Sequence, residues 1–104
     1  MNWQQQATHF AQRYNLQHSP QVHALDLLSE LGEVSKELLK ATKYGTSDPH
    51  YRPEMVEELG DVLYSLCLLA ESVGVDLENA LQSTLAKYEQ RWQAKGHIGS
   101  QIVD

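Results

Sequence analysis

The chain has little of several residue types, and each shortage excludes a class of protein. A single cysteine, Cys67, excludes an internal disulfide framework. Three prolines and six glycines in 104 residues are too few for a collagen-like or low-complexity chain. With 8 basic and 14 acidic residues, the formal net charge of −6 argues against a nucleic acid polymer as partner. An acidic site can still hold a phosphate compound through a bridging cation.

Long hydrophobic segments are also missing. No apolar stretch reaches the length that spans a bilayer, and the first ten residues, MNWQQQATHF, lack the basic and apolar regions of a signal peptide. We therefore expect no membrane association and a cytoplasmic location. Cys67 lies in the apolar run SLCLLA, which predicts a buried, unreactive thiol.

The sequence does contain helical periodicity with clear boundaries. Pro20 follows a serine, which is typical of a helix start, and Gly45 is typical of a helix end. No segment alternates between polar and apolar residues as a strand would. We predict an all-α, four-helix bundle-like single domain over residues 1–95 and a mobile tail over 96–104. The predicted helices cover residues 3–14, 20–44, 53–73 and 77–95.

One acidic pattern occurs twice, as Glu30-Leu31-Gly32-Glu33 and as Glu58-Leu59-Gly60-Asp61. At about 100° per residue, the acids of each helix lie beside its apolar stripe. Two acidic edges on successive helices can face each other across a cleft, where they repel unless a cation or protons compensate them. The apolar stripe predicted for the second helix consists of Leu27, Leu28, Leu31, Val34 and Leu38.

A glycine stands between the two acids of each pattern. Glycine weakens a helix interior by roughly 1 kcal/mol relative to alanine. Gly32 and Gly60 therefore indicate either tight helix packing or space that a ligand needs beside the carboxylates, and the sequence leaves both interpretations open.

The residue types favour a hard cation. Oxygen ligands select Mg²⁺ or Mn²⁺ over zinc. A di-iron bundle would carry Glu-x-x-His motifs, but none of the five histidines has a glutamate three residues before it. Because side chains three residues apart project from one face of a helix, the sequence predicts one or two ions held by a set of four acids. The set is Glu30, Glu33, Glu58 and Asp61.

The surrounding sequence resembles a known family. LLSELGEVSKELLK and EMVEELGDVLYSLCLLAESVGVDLENAL are similar to the MazG-like nucleotide pyrophosphohydrolases of the all-α NTP pyrophosphatase superfamily, over roughly residues 18–95. The resemblance implies Mg²⁺ bound by the four acids and hydrolysis of an NTP or dNTP, including non-canonical ones, to the monophosphate and pyrophosphate. It does not identify the preferred nucleotide. Either Glu30 or Glu33 is expected to act as the general base.

Five further residues are predicted to bind the substrate. The family has basic residues that meet phosphates where Lys87 and Arg91 lie, although a helix dipole alone favours cations there. Lys36 is a weaker candidate, because a lysine on a solvent face needs no function. His18 matches a histidine that some members place near the base, or it is only a residue next to a helix cap. Trp3 either stacks on a base or packs the first helix.

The sequence of the third helix predicts that the protein forms an oligomer. VLYSLCLLA, residues 62–70, is apolar nearly all the way round, and three other helices are too few to cover it. We expect a homodimer or tetramer whose interface includes Leu68 and lies near the active site. Two other functions remain open, a non-catalytic helical interaction module and a metal-dependent hydrolase of another phosphorylated substrate.

Overall fold

The computed structural model describes residues 1–99, which contain four α-helices and no strand. The helices are α1 (Trp3–Arg13), α2 (Pro20–Ala41), α3 (Glu54–Ser72) and α4 (Leu77–Lys95). The predicted all-α fold class is therefore confirmed for this part of the chain. Within the described range, no helix is both long and apolar enough to cross a membrane. Positions 100–104 of the predicted tail lie outside the described residues.

Most helix ends follow from local side-chain chemistry. The Asn2 side chain accepts a hydrogen bond from the Gln5 backbone, and the Gln5 side chain accepts one from the Asn2 backbone, so α1 begins with a capping box. The Asp76 carboxylate caps α4 by accepting from the Glu78 N–H. α4 ends at Gly96, whose φ of 77° is left-handed.

The end of α2 differs from the prediction. α2 stops at Ala41 rather than at Tyr44, and Thr42 is its C-cap. The Thr42 hydroxyl donates to the Leu38 carbonyl, and Lys43 and Tyr44 already have positive φ values of 50° and 58°. The chain therefore leaves the helix three residues before Gly45.

The first of two compact units comprises Met1–Gly74, and within it α3 packs against both α1 and α2. Thr8 of α1 donates a hydrogen bond to Glu71 of α3 at 3.3 Å, and the rings of Phe10 and Tyr64 meet edge to face. The buried apolar residues are small or of medium size: Ala11, Ala41, Cys67, Leu68 and Ala70. Leu68 was predicted at an interface, but it is only 4% exposed and belongs to this core. Cys67 is buried as predicted, and desolvation raises the pKa of its thiol.

The inward side of α2 is not the predicted one. Leu28, Leu31 and Leu38 are 67%, 47% and 44% exposed, so most of the expected core stripe faces outward. The covered side alternates spacings of four and three residues and carries ionisable groups. Because α3 is the helix packed against α2, this side is turned toward α3. Its residues, which we call the α2 seam, are His23, Leu27, Glu30, Val34, Glu37 and Ala41.

The second unit begins at Val75 and contains α4. None of the residues of α4 is buried in the single chain, and Leu81, Leu85 and Trp92 are at least half exposed. The spacing of these residues is still that of an amphipathic helix. The Arg91 guanidinium donates to the Ile98 carbonyl at 3.0 Å, which ties the segment after α4 to the helix.

Candidate metal and phosphate site

Three carboxylates converge where α2 and α3 lie side by side. Glu30 comes from the middle of α2, and Glu58 and Asp61 come from successive turns in the first half of α3. Each offers one oxygen, and the three oxygens lie within 4.8 Å of one another. Glu30 and Glu58 are half-buried, and Asp61 is exposed. One side of this cluster is therefore covered by protein and the other is open to solvent.

The cluster suits a hard cation. At Mg–O distances of about 2.1 Å, two ligands on opposite sides of the ion lie about 4.2 Å apart, so small side-chain rotations suffice to close the set. Oε2 of Glu58 is buried and accepts no hydrogen bond from any described residue. A buried carboxylate oxygen without a donor is unfavourable, and a cation would supply the missing partner.

The electrostatics of the cluster point the same way. Desolvation raises the pKa of Glu30, and the charges of Asp61 and Glu33 raise it further. Desolvation is also the largest cause of the raised pKa of Glu58, followed by the charges of Glu33, Asp61, Glu30 and Glu37. The carboxylates therefore disfavour one another's ionised forms, and a proton or a cation relieves the repulsion.

Glu33 has a different position from the other three acids. It is exposed and does not belong to the three-oxygen cluster. Its charge nevertheless raises the pKa of both Glu30 and Glu58. Glu33 thus lies beside the cluster without being one of its converging ligands.

The two glycines of the acidic patterns face open space. A Cβ atom placed on Gly32 or Gly60 would meet nothing within 4 Å. Packing within the chain therefore does not account for them. The space beside the acids remains available to a ligand or to a second molecule.

Sequence reasoning missed an ion pair next to the cluster. Glu37 is only 4% exposed, and its Oε2 lies 3.0 Å from Nε of Arg52, a residue of the segment between α2 and α3. Arg52 also reaches Glu54 at 3.4 Å. The sequence did contain one signal: Glu37 follows Glu30 by seven residues, which places both on one side of α2. Nothing in the sequence pattern pairs Glu37 with a loop arginine.

The predicted substrate residues of the first unit lie in different places. The backbone N–H of His18, in the segment between α1 and α2, donates to Nε2 of His23 at 3.0 Å. Lys36 is exposed on α2. Trp3, the first residue of α1, is 71% exposed.

The other two predicted substrate residues belong to the second unit. The Lys87 ammonium lies 5.3 Å from the centre of the Tyr88 ring, within the range of a cation–π contact. Arg91 donates to the Ile98 carbonyl, as described above. Both side chains thus have partners inside their own unit.

Comparisons with known proteins agree with the acidic pattern. The family model of the MazG nucleotide pyrophosphohydrolase domain matches residues 18–94. The uncharacterized protein YvdC of Bacillus subtilis (strain 168) is 26% identical over 85 residues, which cover 74% of this chain and 79% of YvdC. No solved structure matches the chain. The matched region includes α2, α3 and nearly all of α4, together with both acidic patterns, and the chain belongs to the MazG nucleotide pyrophosphohydrolase domain family.

Proposed function

We propose that the protein is a divalent-cation-dependent nucleoside triphosphate pyrophosphohydrolase. It hydrolyses the α–β phosphoanhydride bond of an NTP or dNTP, including non-canonical ones, to the monophosphate and pyrophosphate. The observation that carries this proposal is the convergence of Glu30, Glu58 and Asp61 between α2 and α3, in a chain of this family. A role in clearing unwanted nucleotides from the cellular pool follows from that reaction.

Each acid of the site has a proposed role. Glu30, Glu58 and Asp61 bind Mg²⁺, or Mn²⁺ in its place, and Glu33 completes the ligand set or remains available to the attacking water. A bound magnesium ion supplies positive charge to phosphate oxygens and lowers the pKa of a coordinated water. Of the two candidates for the general base, we favour Glu33, because it lies beside the cluster but outside its converging oxygens.

Five candidates for substrate contacts stay predictions from the family resemblance. In that scheme the basic side chains bind phosphates, and the others lie near the base. They are Lys87, Arg91, Lys36, His18 and Trp3.

The protein is also proposed to act as a homodimer or tetramer. Four residues of α3 at spacings of three and four are exposed beyond one third of their surface, and they form what we call the outer stripe of α3. A contiguous apolar stripe of this kind is unusual on a monomer. Its members are Val56, Leu59, Leu63 and Leu66.

The test is product analysis with a panel of ordinary, deoxy and oxidised nucleoside triphosphates in the presence of Mg²⁺. We expect monophosphate and pyrophosphate in equal amounts, detected by ³¹P NMR, and no turnover with EDTA. Glu58→Gln removes one ligand charge and should abolish turnover. Glu57→Gln is the matched control, since Glu57 is exposed on the same helix and outside the cluster. Release of orthophosphate without pyrophosphate would contradict the proposed reaction.

A further inference from the structure

Glu37 is a buried carboxylate that the proposed chemistry does not use. It follows Glu30 by seven residues on the α2 seam, which places it about 10 Å further along the helix axis. Its charge contributes to the raised pKa of Glu58, so the two residues are electrostatically linked. A carboxylate that is 4% exposed requires a compensating charge, and Arg52 supplies it.

Arg52 is only partly committed to this ion pair. Its side chain is 39% exposed, whereas that of Glu37 is 5% exposed. Although Nε of Arg52 lies 3.0 Å from Oε2 of Glu37, that oxygen accepts no hydrogen bond. The guanidinium is therefore held by charge, without the aligned two-bond geometry that an arginine forms with a carboxylate. Its Nε also lies 3.4 Å from Oε1 of Glu54, and more than a third of its side chain is exposed to solvent.

The surroundings of Arg52 contain both signs of charge: Glu54 lies 3.4 Å from its Nε, and Lys40 lies near the same turn. A backbone hydrogen bond and the positive charges of Arg52 and Lys40 all lower the pKa of Glu54, so both cations lie near the first turn of α3. The N-terminal end of α3 adds a partial positive charge. The start of α3 at Glu54 comes two residues after Arg52 and four residues before Glu58, or about 6 Å from it at helical rise. A polyphosphate held at the three-carboxylate cluster can extend toward it.

We propose that Arg52 binds the pyrophosphate portion of the substrate, with Glu37 holding the guanidinium in place. The inference rests on the proposed function, because it assigns one end of the site to the leaving group. A guanidinium presents forked donors that match phosphate oxygens, and it neutralises charge that grows on the departing pyrophosphate. The nucleoside portion then lies on the side of the cluster away from Arg52.

Calorimetry with inorganic pyrophosphate and with a nucleoside monophosphate, each in the presence of Mg²⁺, tests the assignment without turnover. Arg52→Ala should weaken pyrophosphate binding about tenfold or more, the size expected for a lost charge-assisted hydrogen bond, and leave monophosphate binding within about twofold. Arg52→Lys keeps the charge but loses the fork and should give an intermediate loss. Arg13→Ala, at the end of α1, removes the same charge elsewhere and should change neither affinity.

A second variant covers the risk that Arg52→Ala unfolds because it leaves Glu37 unpaired. The double variant Glu37→Gln, Arg52→Ala removes both charges and should show the same selective loss of pyrophosphate binding. In turnover assays the Arg52 variants should raise KM for the triphosphate. Equal losses for pyrophosphate and monophosphate, or no loss for either, would overturn the inference. If the wild-type protein hydrolyses no triphosphate, the proposed function fails, and the pyrophosphate titration still decides the role of Arg52.

Discussion

Cation binding should stabilise the folded protein in a way that depends on Glu58. A ligand present at one hundred times its Kd stabilises the native state by about 2.7 kcal/mol, which for a domain of about 100 residues corresponds to a Tm increase of about 10 °C. Glu58 supplies one of three converging oxygens, and its second oxygen has no hydrogen-bond donor. Removing a residue that merely hydrogen-bonds to a metal ligand weakens metal binding by about tenfold or more. Removing a direct ligand such as Glu58 should weaken Mg²⁺ binding at least as much.

For Glu58→Gln, the Mg²⁺-induced increase in Tm should therefore fall to about half of the wild-type value or less. Differential scanning fluorimetry over a Mg²⁺ titration measures both proteins at equal ionic strength, adjusted with NaCl. Glu57→Gln should keep the full increase, because Glu57 lies outside the cluster. Equal increases in wild type and Glu58→Gln, or an equal increase with NaCl alone, would refute the assignment of the cluster as a cation site.

Three further outcomes are expected. The folded-state pKa values of Glu30 and Glu58 are raised, so without divalent cations their contribution to stability is present below the ordinary glutamate pKa of 4.5 and is lost as the pH rises through the folded values. The Tm of Glu58→Gln minus that of wild type, measured in EDTA, should thus increase with pH, and a constant difference would contradict the assignment. Gly60→Ala should raise Tm by about 4 °C, because alanine favours the helix and its Cβ meets nothing within 4 Å. The added methyl group should also lower kcat/KM. A lower Tm would show that the space beside Gly60 is occupied. Leu63→Lys on the outer stripe should yield monomers of 11.8 kDa in analytical ultracentrifugation at micromolar concentration. Leu68→Lys should instead unfold the chain, because Leu68 is buried. A wild-type protein that is already monomeric would refute the proposed assembly.

The sequence predicts helix boundaries well where a residue has one strong backbone preference. α4 spans the predicted residues 77–95 between Asp76 and Gly96, and α3 begins at Glu54, one residue after the proline predicted to open it. The predicted end of α2 was wrong because the helix stops before Gly45. The Thr42 hydroxyl bonds to the helix backbone there, and the next two residues, neither of them glycine, have positive φ.

The buried face of a helix was harder to predict than the residues at which the helix begins and ends. Periodicity shows which residues share a side of a helix, but it does not identify the neighbour that covers them. Leu28 and Leu31 were therefore assigned to the core, whereas the structure covers the side that carries Glu30 and Glu37. The proximity of Glu30 to the acids of α3 was predictable, since the two acidic patterns share a spacing. The contact of Arg52 with Glu37 was not, because it joins an irregular segment to a helix.

The ionisable α2 seam also fixes the alignment of α2 along α3. If α2 slid by one helical turn, about 5.4 Å, Glu37 would leave Arg52 and stay buried without a counter-charge, and Glu30 would move away from Glu58 and Asp61. A seam made only of leucine and alanine would permit such a shift at lower cost, as in coiled coils whose register depends on a single polar residue. The pairing of buried Glu37 with Arg52 therefore helps to determine which turn of α2 lies beside which turn of α3, and a cation bound by Glu30, Glu58 and Asp61 would strengthen this alignment.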